Sequence, residues 1–229
     1  MSLFQLDPES IAARVRAGGQ MARVPSLAAS VVRGAVGFMV VSVAGFVPWA
    51  VFGRPLYRAI GEVGMYLVCA VVFLGLSGPI LHPLILGPGS RPRFAKLFTI
   101  AFTAYAGAWI AGWRALRGDA GSLAGLFAGT ALMGAILVHA FDARRATVAV
   151  IAALFVLNTA GYFIGGWLEG AIMGDRTLTL FGLTRGGTMT FAMLLWGVFY
   201  GLGLGAGLGV AFHLCQAKAR ALLVGHAQP

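Results

Sequence analysis

The chain has 229 residues, of which 59% are hydrophobic and only 10% are charged, and its mean hydropathy is +0.87. A soluble domain carries about 25% charged residues, and a disordered segment needs low hydrophobicity, so the composition excludes both classes. The 34 glycines follow no Gly-X-Y period, which excludes collagen and is typical of close-packed membrane helices. The composition therefore predicts an all-α polytopic membrane protein.

Seventeen basic residues against seven acidic ones give the chain a formal net charge of +10. In a soluble protein this excess would indicate a nucleic-acid partner. Here the basic residues lie between apolar runs, so we expect the lipid bilayer as the partner, with anionic lipids of the inner leaflet supplying the counter-charge. We expect no nucleic-acid partner.

The N-terminal segment, residues 1–30, does not have the pattern of a cleavable signal peptide. The sequence Asp-Pro-Glu-Ser at 7–10 is typical of a helix start, with an N-cap, a first-turn proline and a first-turn acid. Ile11 and Val15 would share one face of this helix, which the glycine pair at 18–19 ends. We expect a cytoplasmic amphipathic segment on the inner leaflet, or alternatively a solvated tail.

Six apolar runs follow, each close to the length of about 20 residues that a membrane-spanning helix needs. They cover residues 31–52, 63–84, 97–113, 122–141, 146–168 and 189–214. The sequence therefore predicts a transmembrane domain of six helices at 31–214, followed by a cytoplasmic tail at 215–229.

The orientation follows from the basic residues on each side of these runs. With the N-terminus inside, eleven of the seventeen lie on the inner side and six on the outer side. Both termini are therefore predicted to be cytoplasmic. The abundance of Ala, Gly, Arg and Val favours a bacterial source, and hence the plasma (inner) membrane, with an organelle membrane as the alternative.

The second predicted span ends in a proline-rich segment that a basic cluster follows. Prolines at 79, 83 and 88 remove backbone donors and kink a helix, which frees carbonyl groups. A broken helix end beside Arg91, Arg93 and Lys96 is a candidate contact for an anionic lipid headgroup. The alternative is a plain kink and turn.

Two similar segments end the third and fifth spans. Residues 106–113 and 160–167 match at five of eight positions, and residues 44–49 are a weaker echo of both. These similarities predict three related two-helix hairpins, between which a binding site can lie. The alternative is that the tryptophans in these segments belong to an aromatic belt at the membrane interface.

Three histidines, His82, His139 and His213, each lie at the end of an even-numbered span on the predicted cytoplasmic side. If the bundle brings them together, three imidazoles can ligate zinc, copper, iron or a haem. Their spacing lacks the i, i+3 or i, i+4 pairing of a helical metal motif. Three separate histidines at the interface are the alternative, and the cofactor stays undetermined.

The predicted spans carry no acidic or basic residue near their centres, which argues against a proton-driven pump. Asn158 is the main polar residue there, with Thr159 beside it, and its amide needs hydrogen-bond partners. Thr103 and Tyr105 lie at a similar depth in the third span. These four residues are candidates for a hydrogen bond between helices or for contact with a ligand.

Six glycines recur along the sixth span and form two stripes of missing side chains. They are Gly197, Gly201, Gly203, Gly205, Gly207 and Gly209. Such stripes allow close helix packing, either within the chain or between copies in a homo-oligomer or membrane complex. The run at 201–209 resembles the glycine-rich helix of rotary ATPase ring subunits, but no carboxylate at the membrane centre accompanies it, so no function is carried over.

Three functional classes remain. The first is a small carrier or channel-like protein that binds a neutral, apolar or lipid-like ligand within the bilayer, which the repeats, the glycines and Asn158 favour. The second is a non-catalytic membrane subunit or assembly factor of a larger complex, which the short loops favour. The third is a His-ligated metal or haem enzyme. No catalytic sequence motif occurs, so the sequence gives no positive indication of enzymatic activity.

Overall fold

A computed structural model describes residues 4–18 and 25–224, and these stretches are helical with no strand. The remaining parts of the predicted N-terminal segment and tail, at 1–3, 19–24 and 225–229, lie outside the described residues. The α-helices of the described residues are α1 (Pro8–Ala17), α2 (Leu27–Leu81), α3 (Ser90–Leu116), α4 (Gly118–Ala140), α5 (Thr147–Gly174), α6 (Arg185–Cys215) and α7 (Ala217–Val224). Five of them, α2 to α6, are long and apolar enough to cross a membrane.

Helix α1 begins as the sequence predicts. The Asp7 carboxylate accepts a hydrogen bond from Ser10 N at 2.9 Å, and Pro8 occupies the first turn. Its apolar face is buried in the protein, with Ile11 0% and Val15 4% exposed. Helix α7 and the segment before α3 offer apolar surface to this face, so it packs on protein, and the position of α1 on the inner leaflet stays a prediction.

Charged side chains add to the contact between α1 and α7. Lys218 Nζ lies 3.2 Å from Glu9 Oε1, and Arg16 Nη2 donates to Leu222 O at 3.2 Å. Hydrogen bonds from its own backbone and from Lys218 lower the pKa of Glu9 below its ordinary value. The first and last described helices therefore lie together at one end of the bundle.

Helix α2 turns back on itself at Gly61, where φ is 71° and ψ is 179°. This backbone conformation suits a residue without a Cβ, and it divides the helix into an arm at 27–60 and an arm at 62–81. The arms lie antiparallel, since glycines of the first face side chains of the second. The facing pairs are Gly37 with Leu81, Gly45 with Phe73, and Gly53 with Met65.

The helices extend further than the apolar runs predict. The connection expected between the first two spans is helical except at Gly61, because arginines are good helix formers outside the apolar region. Helix α3 starts at Ser90 and α5 continues to Gly174, so the loop expected at 169–188 shrinks to 175–184. The expected tail contains α7. Hydropathy measures the lipid-buried length, whereas backbone hydrogen bonding continues beyond it.

Helix α6 lies at the centre of the packing, against α2 and α5, while α3 packs chiefly on α4. A cluster of phenylalanine rings fills the space between α2 and α3. Phe38, Phe98 and Phe102 form a continuous group, with ring centroids 6.0 Å apart for Phe38 and Phe98, and 5.2 Å for Phe98 and Phe102. The relation of the predicted hairpins to one another stays a prediction.

Candidate functional site

The glycines of α6 let α2 and α5 approach its backbone. A Cβ added at Gly201 would lie 2.6 Å from Met39 Cα, and one at Gly207 would lie 3.1 Å from Leu154 Cα. The neighbours of all six glycines belong to the same chain; the glycines are Gly197, Gly201, Gly203, Gly205, Gly207 and Gly209. Contact between copies of the chain through this helix stays a prediction.

A second glycine stripe, which the sequence analysis missed, fixes α3 against α4. Gly121, Gly125 and Gly129 recur every four residues, and this spacing was the available signal. A Cβ added at Gly125 would lie 2.9 Å from Trp109 Cα, and one at Gly129 would lie 2.7 Å from Tyr105 O. The stripe therefore sets the positions of Tyr105 and Trp109 in the bundle.

A buried hydrogen-bonded group joins α3, α5 and α6. Asn158 Nδ2 donates to Tyr105 Oη at 2.9 Å, and Tyr200 Oη donates to the same oxygen at 3.3 Å. The expected partnership of Asn158 and Tyr105 is therefore present, while Tyr200 was not foreseen. The three side chains are buried, with Asn158 0% exposed.

One end of this polar group has no protein partner. Asn158 Oδ1 is inaccessible to solvent and accepts no hydrogen bond in the described part of the chain; Thr159 Oγ1, on the next residue, is likewise buried without a partner there and is not bonded to the group. Leaving a buried polar atom unpaired costs about 1–3 kcal/mol. Thr103, the fourth candidate, is exposed on α3 and does not join the group.

Tyr105 and Tyr200 also line a cavity of about 190 Å³, which we call the aromatic cavity. Nine residues from α2, α3, α5 and α6 line it, and seven of them carry aromatic rings. They are Phe46, Phe102, Tyr105, Ala106, Trp109, Ile110, Tyr162, Trp196 and Tyr200. Most of these were not singled out from the sequence. The similar segments at 44–49, 106–113 and 160–167 contain five of these lining residues. The similarity between the segments was therefore the sequence pattern that could have identified them.

Hydrogen bonds and ring contacts hold the cavity walls. Trp196 Nε1 donates to Tyr162 O at 3.1 Å, and Tyr162 Oη lies 3.2 Å from Ser122 Oγ on α4. The Trp196 ring meets the Phe46 ring edge-on at 5.7 Å between centroids. The Trp109 ring meets the Tyr162 ring edge-on at 6.1 Å between centroids. These contacts connect cavity-wall residues of different helices to one another.

The three candidate metal ligands are held separately. His82 Nδ1 lies 2.9 Å from Ser90 Oγ, His213 Nδ1 lies 3.5 Å from Ser30 Oγ, and His139 lies in the last turn of α4. No group of three His, Cys, Asp or Glu side chains in the described residues can hold a metal ion. The described residues therefore show no metal-ion site shared by the three histidines, and a haem site stays a prediction.

A second cavity, which we call the terminal cavity, lies between α1, the start of α2 and the segment 82–90. Its volume is about 380 Å³, and its lining includes Arg33, His82 and Ser90. The predicted headgroup contacts are not in this lining: Arg91 and Lys96 are exposed, and Arg93 Nη1 folds back to donate to Gly89 O at 2.7 Å.

Gln216, just after α6, fixes the segment that forms one wall of the terminal cavity. Its Oε1 accepts from Leu86 N at 2.8 Å, and its Nε2 donates to Leu84 O at 2.8 Å and to Phe212 O at 2.9 Å. The side chain is buried, being 2% exposed. The Gln216 side chain thus supplies hydrogen-bond partners for backbone groups of Leu84 and Leu86, which lie outside the α-helices.

The chain matches no protein-family model, no curated protein and no solved structure. Its function can therefore be inferred only from the chemistry of the two cavities.

Proposed function

We propose that the protein is a small carrier or channel-like membrane protein that binds a neutral, mostly apolar ligand in the aromatic cavity. The observation that carries this proposal is the lining itself: seven aromatic rings and no charged side chain surround about 190 Å³. Binding sites for small molecules are lined mainly by apolar and aromatic groups, with a few placed polar ones. Tyr105 and Tyr200 supply those polar groups here.

The size of the cavity limits the ligand. Sites for drug-sized molecules measure about 300–1,000 Å³, whereas an apolar cavity of about 150 Å³ holds benzene. The aromatic cavity, at about 190 Å³, lies nearer to the second case. The ligand we propose is therefore a molecule of one small ring, or one such part of a larger lipid-like molecule.

The polar group beside the cavity suggests that the ligand carries one hydroxyl or carbonyl. Tyr105 Oη accepts from both Asn158 and Tyr200, so its own proton is free to donate to a ligand. A ligand oxygen that accepts this proton would give the Tyr105 hydroxyl its third hydrogen bond. Charged ligands are disfavoured because no described lining residue carries a compensating charge.

We further propose six membrane crossings, with each arm of α2 crossing separately, in the plasma membrane of a bacterium. The contact between α1 and α7 supports this number, since an even count of crossings brings both ends to one side. The excess of basic residues on that side supports a cytoplasmic location of both termini.

The aromatic cavity can be tested by filling it. We expect Ala106→Leu, on the cavity wall, to weaken binding of 4-iodophenol by at least about tenfold, because the larger side chain occupies the space. The measurement is heavy-atom quenching of tryptophan fluorescence in purified protein, since Trp109 and Trp196 line the cavity.

Ala111→Leu is the matched control, because Ala111 is exposed on the same helix. The control should bind 4-iodophenol like the unchanged protein. Equal quenching curves for both variants and the unchanged protein would mean that the probe only partitions into the detergent, and the proposed site would be abandoned.

A further inference from the structure

The terminal cavity has the charge of an anion site. Arg33 and His82 face it, and its eleven lining residues include no acid. Arg33 Nη1 donates to Pro83 O at 3.2 Å, which leaves the rest of its guanidinium for another acceptor. His82 is oriented by its contact with Ser90 Oγ through Nδ1, which leaves Nε2 for a ligand.

Arg14 adds positive charge in the wall behind this lining. It precedes Val15, which lines the cavity, and its Cβ approaches the wall residue Gly87. Its Nε and Nη2 are inaccessible to solvent and have no hydrogen-bond partner in the described residues. Arg14 as a whole is partly exposed, but buried guanidinium nitrogens without a hydrogen-bond acceptor are costly, so their missing acceptor needs an explanation.

The electrostatic surroundings of Arg14 do not remove this cost. Burial and the nearby charge of Arg93 both lower the pKa of Arg14 below its ordinary value, while Asp7 acts in the opposite direction. Two like-charged guanidinium groups thus act on each other beside one carboxylate that also caps α1. An additional anion would reduce the repulsion between them.

We propose that the terminal cavity binds a phosphate-type anion, with Arg33 and His82 contacting it directly and Arg14 supplying unpaired positive charge behind them. A guanidinium group forms two parallel hydrogen bonds to phosphate oxygens, which suits Arg33. The volume of about 380 Å³ exceeds what one phosphate needs, so a phosphate with an attached polar group, such as a lipid headgroup, also fits.

The experiment compares sources of the same chemistry on the purified full-length protein. We would follow the thermal unfolding midpoint in detergent while adding phosphatidylglycerol, phosphatidylcholine or inorganic phosphate, with sodium chloride at matched ionic strength. A ligand that binds only the folded protein raises the midpoint. We expect phosphatidylglycerol, inorganic phosphate or both to raise it more than phosphatidylcholine or chloride does.

Two variants connect that rise to the terminal cavity. Arg33→Gln should weaken the effective affinity about tenfold, because it removes a charged donor pair. Arg145→Gln removes the same charge from an exposed position in another loop and should leave the affinity unchanged. Arg14→Met is the second variant: it should weaken anion binding without lowering the midpoint of the anion-free protein, since its buried nitrogens have no partner to lose.

The outcomes separate clearly. A rise with phosphatidylglycerol alone assigns the site to a lipid headgroup, and a rise with inorganic phosphate as well assigns it to the phosphate group itself. No rise with either ligand, or an equal loss in Arg33→Gln and Arg145→Gln, would overturn the proposal. Because the aromatic cavity has a different lining, its binding of 4-iodophenol is independent of this result.

Discussion

The aromatic cavity and the terminal cavity differ in the residues that line them. Seven of nine residues around the aromatic cavity carry rings, whereas five of eleven around the terminal cavity are glycine or proline. Rings packed edge-to-face are mutually stabilising by about 0.5–1.5 kcal/mol per pair, so ring contacts stabilise the walls of the aromatic cavity. The second is built from irregular backbone and cationic side chains, and its recognition depends on charge.

The comparison shows how the surroundings decide the kind of recognition. Inside the bundle an unpaired charge is prohibitively costly, so the residues that line the aromatic cavity are uncharged, and one amide and two hydroxyls beside it bond one another. At the end of the bundle, two nitrogens of Arg14 have no protein acceptor in the described residues, and a headgroup or a bound anion can supply the negative charge. Variants that affect one cavity and spare the other therefore test this distinction.

The largest effect is expected from a change that removes both cavities at once. Gly205→Ala should lower the free energy of unfolding by at least about 3 kcal/mol, because the added Cβ would overlap Gly34 O and lie 2.9 Å from Ala35 Cα. Separating α6 from α2 would disturb the aromatic wall and the helix end that carries Gln216. The measurement is chemical unfolding in detergent, monitored by circular dichroism.

Gly170→Ala on α5 is the matched control, since a Cβ there meets nothing within 4 Å. It should leave the free energy of unfolding unchanged or raise it slightly, because alanine favours helix over glycine. Similar destabilisation by both changes would show that close packing of α6 on α2 does not hold the bundle together.

The sequence predicted the membrane class and the helical N-terminus because both depend on local patterns. Hydropathy finds apolar runs, and an Asp-Pro-Glu sequence caps a helix wherever it occurs. It also suggested that Asn158 and Tyr105 meet, since few polar residues lie deep in the spans and they need one another. The sequence did not predict that helix α2 continues through residues 53–60. Hydropathy identifies the apolar segment and does not measure how far a helix extends outside lipid.

The cavities could not be predicted, since they depend on which faces of distant helices meet. Tyr200 lies 95 residues from Tyr105, and no local pattern pairs them. The same limit applies to Gln216, which binds a segment about 130 residues away in sequence. The sequence placed the three candidate metal ligands at helix ends. Only contacts between helices could show that His82 and His213 have different hydrogen-bond partners.

An intermediate effect, confined to the terminal cavity, is expected from Gln216→Leu. The change removes the acceptor of Leu86 N and the donor of Leu84 O, so about 2–3 kcal/mol of stability should be lost. The effect of phosphatidylglycerol or inorganic phosphate on the unfolding midpoint should fall, whereas binding of 4-iodophenol at low temperature should persist. A loss of both would mean that the two cavities are not independent.

The smallest effect, confined to the aromatic cavity, is expected from Asn158→Leu. The change removes a donor to Tyr105 Oη, but it also removes the unpaired Oδ1, so the two contributions to stability nearly cancel. With the donor gone, the Tyr105 hydroxyl is held less firmly, and affinity for 4-iodophenol should fall about tenfold while affinity for iodobenzene stays constant. Thr103→Val, at an exposed position of α3, should change neither affinity. Fluorescence quenching titrations with the two probes measure this difference, and equal losses for both probes would show that Asn158 only shapes the cavity.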